Sequence, residues 1–440
     1  MLHLYLIPLI FALVGLAFYA VLGGADFGAG FWQLTAGKGR QAQAVREHAH
    51  AAMAPVWEAN HVWLIFVLTV VWTAYPTAFG SIASTLSIPL FIAAVGIIFR
   101  GVAYALRAGA AGPRELSAID TVFSISSVLT PFALGTAVGG IASGRVPVGN
   151  AAGSQFSSWL NPTSLLIGVL AVTTAAYLAA VFLCADAAKL DDQDLEEQFR
   201  RRALGAGVVA GAVALAGLGV VAGDADRIFQ RLTTGAGLPG LVISLVAGVA
   251  TLALVWRRRY EPARYSAAVA VAAIIAGWAL AQSPVFLPGL TIRAAAAPRT
   301  TLIAVIVAVL GGAVILFPSL ALLFRLVLSG RLVDSGEDLE LGARPPRLVR
   351  ASQHGFLARA ALACLIAGVG LLTVAEAGWA HALGVVSLLG FVALGFPAAL
   401  PPEAVPHTNV PSAETRSRAG RTTHASATDR SRMGEGAGRS

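Results

Sequence analysis

The chain has 440 residues, of which 57% are hydrophobic and 12% charged, and its mean hydropathy is +0.74. A water-soluble domain carries about 25% charged residues, so composition excludes a soluble globular protein and points to one solvated by lipid. The net charge of +8 comes from arginines placed between apolar runs, a pattern of membrane topology and not of a nucleic-acid-binding surface.

Apolar runs of about 20 residues, the length that crosses a bilayer, predict helices at about 4–25, 56–78, 80–105, 117–142, 160–185, 203–222, 238–256, 264–283, 300–328, 356–374 and 378–399. The predicted fold class is all-α, a polytopic integral membrane protein of about eleven spans. The first run is longer than a signal-peptide core and lacks a basic flank, so it reads as a retained span. Pro76 and Gly80 predict a tight turn between the second and third runs. Glycine and alanine recur through the runs, as expected where helix backbones approach closely in lipid.

Basic residues concentrate in alternate loops. One set holds Lys38, Arg40 and Arg46; Arg107 and Arg114; Lys189 and Arg200 to Arg202; Arg257 to Arg259 and Arg264; and Arg331, Arg344, Arg347 and Arg350. The other set holds only Arg145, Arg227, Arg231, Arg293 and Arg299. The first set is therefore expected in the cytoplasm, with the N-terminus outside, the C-terminus inside and the chain in the cell membrane. Asp191, Asp192, Asp194, Glu196 and Glu197 read as a solvated face neutralised by Arg200 to Arg202, and not as a metal site. Cys184 and Cys364 lie in separate apolar runs and offer neither a disulfide framework nor metal-ligand spacing. From about Pro401 the chain is rich in Pro, Ser, Thr, Gly and Arg and is expected to be disordered.

Ionisable groups punctuate the first four runs. Asp26 ends the first, Glu58 and His61 open the second with Asn60 between them, Arg100 closes the third, and Asp120 starts the fourth. The predicted topology puts all of them near the cytoplasmic side. Such groups are costly in lipid and persist where they face a protein interior. An arginine beside carboxylates keeps them ionised while burial opposes this, a balance suited to proton transfer. Glu58 and His61 lie one helical turn apart. The plainer alternative is that these groups cap helices, snorkel or pair for packing. Trp57, Trp63 and Trp72 read as packing or interfacial anchors. A secondary transporter would place its polar site at the midplane on broken helices, and the position of these groups near one face argues against that class.

Three motifs follow one another in a family's order. Ala25-Asp-Phe-Gly-Ala-Gly30, then Ala54-Pro-Val-Trp-Glu-Ala-Asn-His-Val-Trp-Leu-Ile65 with Tyr75-Pro76, then Phe99-Arg-Gly-Val-Ala-Tyr-Ala-Leu-Arg107 resemble subunit II of the cytochrome bd quinol oxidases. Weaker agreement continues at Asp120, at Leu160-Asn-Pro-Thr-Ser-Leu-Leu166 and at Phe286-Leu-Pro-Gly-Leu-Thr-Ile292. The resemblance covers about residues 1–330. Glu58 stands where the family usually has Asp, Ala59 where it has Gly, His61 where it has Glu or Gln, and Ala25 where it has Phe.

The resemblance implies two four-helix bundles plus a peripheral helix. It implies a partner, subunit I, that carries haems b and d and the quinol site, in an electrogenic complex that oxidises quinol and reduces oxygen to water. A small single-helix subunit and membrane lipid are further partners it allows. No cofactor is expected on this chain, whose histidines and methionines are few within the runs. Its expected part is assembly and proton access through Asp26, Glu58, His61 and Arg100, supported by Trp57, Asn60, Trp63 and Asp120. The expected organisation is a family domain at 1–332, a basic linker at 333–355, an additional transmembrane hairpin at 356–400 and the tail at 401–440.

Overall fold

Helices fill the computed structural model, which describes residues 3–53, 57–107, 109–110, 112–328, 354–374 and 378–399. The tail and nearly all of the basic linker lie outside these, as do the side chains of Trp57 and Glu58. The chain divides between Leu332 and Val333 into two compact units.

In the first unit, α1 (Ile7–Phe18) passes through a single π-turn at Tyr19–Gly23 into α2 (Gly24–Thr35), giving one span from Leu4 to Thr35. A short surface helix follows, α3 (Arg40–Met53). Sequence reading placed no element there because no apolar run crosses it. Ala42, Val45 and Ala49, at i, i+3 and i+7, nevertheless form a buried stripe, which is how a helix lies on a bundle instead of entering it.

The second and third spans do not meet at a tight turn. Tyr75 is forced out of the helical region by the proline after it, with φ −139° and ψ 59°. So α4 (Trp57–Ala74) stops there, and a separate helix α5 (Pro76–Thr85) precedes α6 (Ser87–Arg107). The chain continues through α7 (Pro113–Ala142), α8 (Pro162–Lys189), α9 (Gln193–Asp224), α10 (Asp226–Thr233), α11 (Leu238–Trp256) and α12 (Tyr260–Gln282). Strands β1 (Val285–Leu287) and β2 (Leu290–Thr291) pair antiparallel. Pro288 and Gly289 turn between them, and Gly289 has φ +79°, the left-handed conformation that a glycine after proline supplies. Then come α13 (Ile292–Ala295) and α14 (Arg299–Leu328).

Among the described residues eight helices are long and apolar enough to cross a membrane; α4 counts as a shorter apolar helix from Asn60. The chain is thus an all-α polytopic membrane protein. Because α8 touches α2, α3, α7, α9 and α12, it forms the centre of the unit, and four of the six residues of its buried stretch Ala175–Ala180 are alanines. Small side chains let neighbouring backbones close up, which in lipid replaces the hydrophobic drive to associate.

The acidic stretch runs from the turn at Asp191 into the first turns of α9. It opens α9, with the Asp192 carboxylate accepting from the Leu195 N–H at 3.0 Å in the manner of an N-cap. Glu197 pairs with Arg200 at 2.8 Å and Arg201 at 3.0 Å, and Arg258 reaches Glu196 at 2.6 Å, so local arginines neutralise it. In the second unit, α15 (His354–Val374) and α16 (Gly378–Ala399) pack on each other, with Gly368 facing Leu388 and Gly390 facing Cys364.

Candidate functional site

Successive spans run in opposite directions, so the end of α2, the start of α4, the end of α6 and the start of α7 share one face, where α3 lies against α2 and α8. Just inside it, Arg100 of α6 forms an ion pair with Asp26 of α2, both side chains 2% exposed. Arg100 also donates to the Asp26 carbonyl oxygen at 3.1 Å. Its guanidinium lies between two rings, 4.7 Å from the centroid of Phe27 and 4.8 Å from that of Phe123. Carboxylate, carbonyl and two ring faces together compensate a cation that burial would otherwise make prohibitively costly. The second Asp26 oxygen, Oδ2, is buried and accepts no hydrogen bond.

The π-turn sets the carboxylate's position. A widened turn loosens the regular backbone ladder, and here Asn60 Nδ2 of α4 donates to the Leu22 carbonyl oxygen within it, at 3.3 Å. Tyr19, the first residue of that turn, is buried with its hydroxyl unpartnered. The His61 ring packs edge-on against Tyr19 at 6.3 Å and Phe27 at 6.0 Å. Phe27 therefore touches both His61 and Arg100. Trp63 stacks on Phe18 at 4.6 Å and Trp72 on Phe79 at 5.8 Å, which fits packing anchors.

The predicted residues thus divide into groups. Asp26 and Arg100 meet, with Asn60 and His61 bracing the same stretch of α2. Asp120 does not join them: it pairs with Arg107 at 2.8 Å nearer the surface, both about a quarter exposed. Glu58 stands in the first turn of α4, where a helix N-terminus favours a carboxylate; its side chain is outside the described residues.

Two features escaped sequence reading. Arg100, Tyr104 and Arg107 lie at i, i+4 and i+7, one face of α6, and make a polar line from the buried pair to the surface. Beside it lies His50 of α3, its ring 5.5 Å from that of Tyr104. Burial foremost, and then the Arg107 charge, lower the His50 pKa, while Asp120 opposes them. His48 faces the other way, its Nε2 3.1 Å from the Leu183 carbonyl oxygen of α8. The signal available in the sequence was the stripe of α3, which puts His48 and His50 on different faces.

At the far end of the spans, Arg145 binds Asp224 through two contacts of 2.9 and 2.6 Å, and Thr163 donates to the same carboxylate from its hydroxyl at 2.6 Å. Asn161 caps α8 through the Ser164 N–H at 2.9 Å. The Asn161-Pro-Thr-Ser164 segment is therefore a cap and a helix-to-helix tie. Among the described residues no three His, Cys, Asp or Glu side chains cluster to hold a metal ion.

Fold and site together define a multi-pass helical membrane protein with a buried carboxylate–guanidinium pair near one face. Residues 4–327 match the family model described as cytochrome bd terminal oxidase subunit II. The chain belongs to that family. It is 29% identical over 127 residues to cytochrome bd ubiquinol oxidase subunit 2 of Bacillus subtilis, covering 28% of this chain and 37% of that one. It is 29% identical over 176 residues to cytochrome bd-I ubiquinol oxidase subunit 2 of Escherichia coli, covering 38% and 44%. The chain therefore spans about two fifths of the length of the curated relatives it matches. The structure of bd oxidase from Geobacillus thermodenitrificans contains a chain that it resembles with a TM-score of 0.59 and 27% identity, over 74% of this chain and 98% of that one.

Proposed function

We propose that this chain is the second subunit of a bd-type terminal oxidase, partner to a haem-bearing subunit I that oxidises quinol and reduces oxygen to water. Family membership over residues 4–327 carries this reading. Two of the described histidines are already engaged within the chain: the His61 ring is packed by Tyr19 and Phe27, and the Nε2 of His48 lies against a carbonyl oxygen. On the family resemblance haems b and d are assigned to the partner, with quinol as substrate of the complex. The α3 face is cytoplasmic on the basic-loop pattern, with the N-terminus outside.

The finer role is proton access from that face. Its support is Asp26 Oδ2, a buried carboxylate oxygen that no side chain occupies, close to an arginine that holds the other oxygen. Glu58 would feed it from the first turn of α4, with His61 a turn deeper. A structural role is the second reading, favoured by the ring sandwich around Arg100, which clamps α2 to α6. Glu58→Gln separates the two, since it keeps size and removes the exchangeable acid. Proton access predicts quinol-oxidase turnover at least about tenfold lower, about 1.4 kcal/mol in barrier, with assembly and haem content unchanged and much of the activity regained in Glu58→Asp. Full turnover in Glu58→Gln would leave the structural reading.

A further inference from the structure

The polar line on α6 ends at the surface, and one titratable ring from a different element closes over it. We infer that His50 of α3 is the entry group of the proton route, passing protons from the aqueous surface along Tyr104 toward the Asp26–Arg100 pair. The inference rests on the proton-access reading above.

Three observations place His50 there. The first is direction. His48 and His50 are two residues apart, so they leave α3 about 200° apart; His48 meets the α8 backbone and His50 meets Tyr104. The second is depth. His50 is partly buried, and Tyr104 lies one turn from Arg100, about 6 Å along the helix. The third is the destination, since the line ends at a carboxylate with one oxygen unoccupied.

The groups facing His50 are Tyr104 and Arg107 of α6 and Asp120 of α7; on α3 itself Arg46 and Glu47 stand one turn back, and Arg46 donates to the Gly37 carbonyl. On the far side, Val45 and Ala49 belong to the apolar cluster that includes Leu183 of α8. With its pKa lowered by burial and Arg107, His50 is neutral near pH 7 and can accept. In the transfer a hydronium ion gives its proton to the unprotonated ring nitrogen. The N–H bond at the other nitrogen then breaks, and that proton passes through water to Asp26 Oδ2, leaving a neutral ring. Arg107 beside the ring favours release over retention.

The test uses the full complex in membranes, with quinol-driven oxygen consumption measured from about pH 5.5 to about pH 8, the range in which histidine titrates. His50→Phe keeps a ring against Tyr104 and removes the titrating nitrogens. The expected result is a normal yield of complex and turnover at least about threefold lower, a smaller effect than the roughly 10²–10⁴-fold of a group acting at the reacting atoms, because His50 acts at the entrance of the route. The dependence of turnover on pH below neutrality should flatten, and added imidazole should restore the rate. His50→Gln should behave alike, which covers the case in which phenylalanine disturbs assembly. Unchanged turnover and pH profile in both variants would overturn the assignment, as would a loss that imidazole does not restore. Glu58→Gln, measured alongside, separates the two levels: if it slows turnover and the His50 variants do not, only the entry group is wrong. If none slows turnover, the proton-access reading falls as a whole.

Discussion

Asp26 and Arg100 stabilise each other only as a pair. Removing the guanidinium leaves a carboxylate buried at 2% exposure without its ion-pair partner, a loss of about 3–5 kcal/mol. Arg100→Gln should therefore reduce the yield of assembled complex and lower its thermal midpoint. Arg100→Lys should recover little, because an ammonium cannot lie flat between Phe27 and Phe123 while reaching both the carboxylate and the carbonyl of Asp26. Combining Arg100→Gln with Asp26→Asn should recover part of the stability, since no unpaired charge remains. Thermal melts of the three purified variants check this; a double variant no better than Arg100→Gln alone would show that the ring contacts, and not the charge, set the cost. That both residues face the interior was legible in the sequence, because each interrupts an apolar run. That Asp120 belongs to Arg107 instead was not, since the two arginines lie on the same face of one helix and only three-dimensional depth separates them.

At the scale of elements, close approach does what apolar burial does in water. Gly28 of α2 lies against α8 so tightly that a Cβ there would overlap the Ala175 carbonyl oxygen and stand 2.7 Å from the Ala179 Cβ. Backbone cannot yield as a flexible side chain can. Gly28→Ala should then push α2 from α8 and disturb the turn that carries Asp26, with complex yield and turnover falling together, while Gly80→Ala, which meets open space, should leave both unchanged. Equal behaviour of the two variants would contradict the packing argument. Long apolar helices were legible because their signal is local hydropathy. The π-turn, α3 and the β1–β2 hairpin were not. A π-turn changes hydrogen bonding without changing composition, α3 buries only a narrow stripe of small residues, and the hairpin is five residues of strand. The break at Tyr75 was readable from Pro76, though the turn was expected a few residues later.

For the whole molecule, three boundaries nearly coincide. The family match ends at residue 327, the first compact unit ends at Leu332, and α14 ends at Leu328. A unit that contains its own core, with α8 at the centre and α14 resting on α1 and α4, does not need the following hairpin in order to pack. We therefore expect a chain ending at Leu400 to assemble with the proposed haem-bearing partner at full yield, because the removed segment is too polar to bury surface that offsets its ordering entropy. A chain ending at Leu332 should also assemble and keep quinol-oxidase turnover, since every residue of the proposed proton route lies before it. The hairpin α15–α16 is apolar over most of its surface, with Ile366, Val386 and Leu389 more than 60% exposed, so its deletion probes whether that surface faces lipid or a protein. Co-purification of each truncated chain with the proposed haem-bearing partner, read by haem absorbance per complex, decides the matter. Loss of the complex on truncation at Leu332 but not at Leu400 would assign the hairpin to the interface; loss at Leu400 would assign the tail.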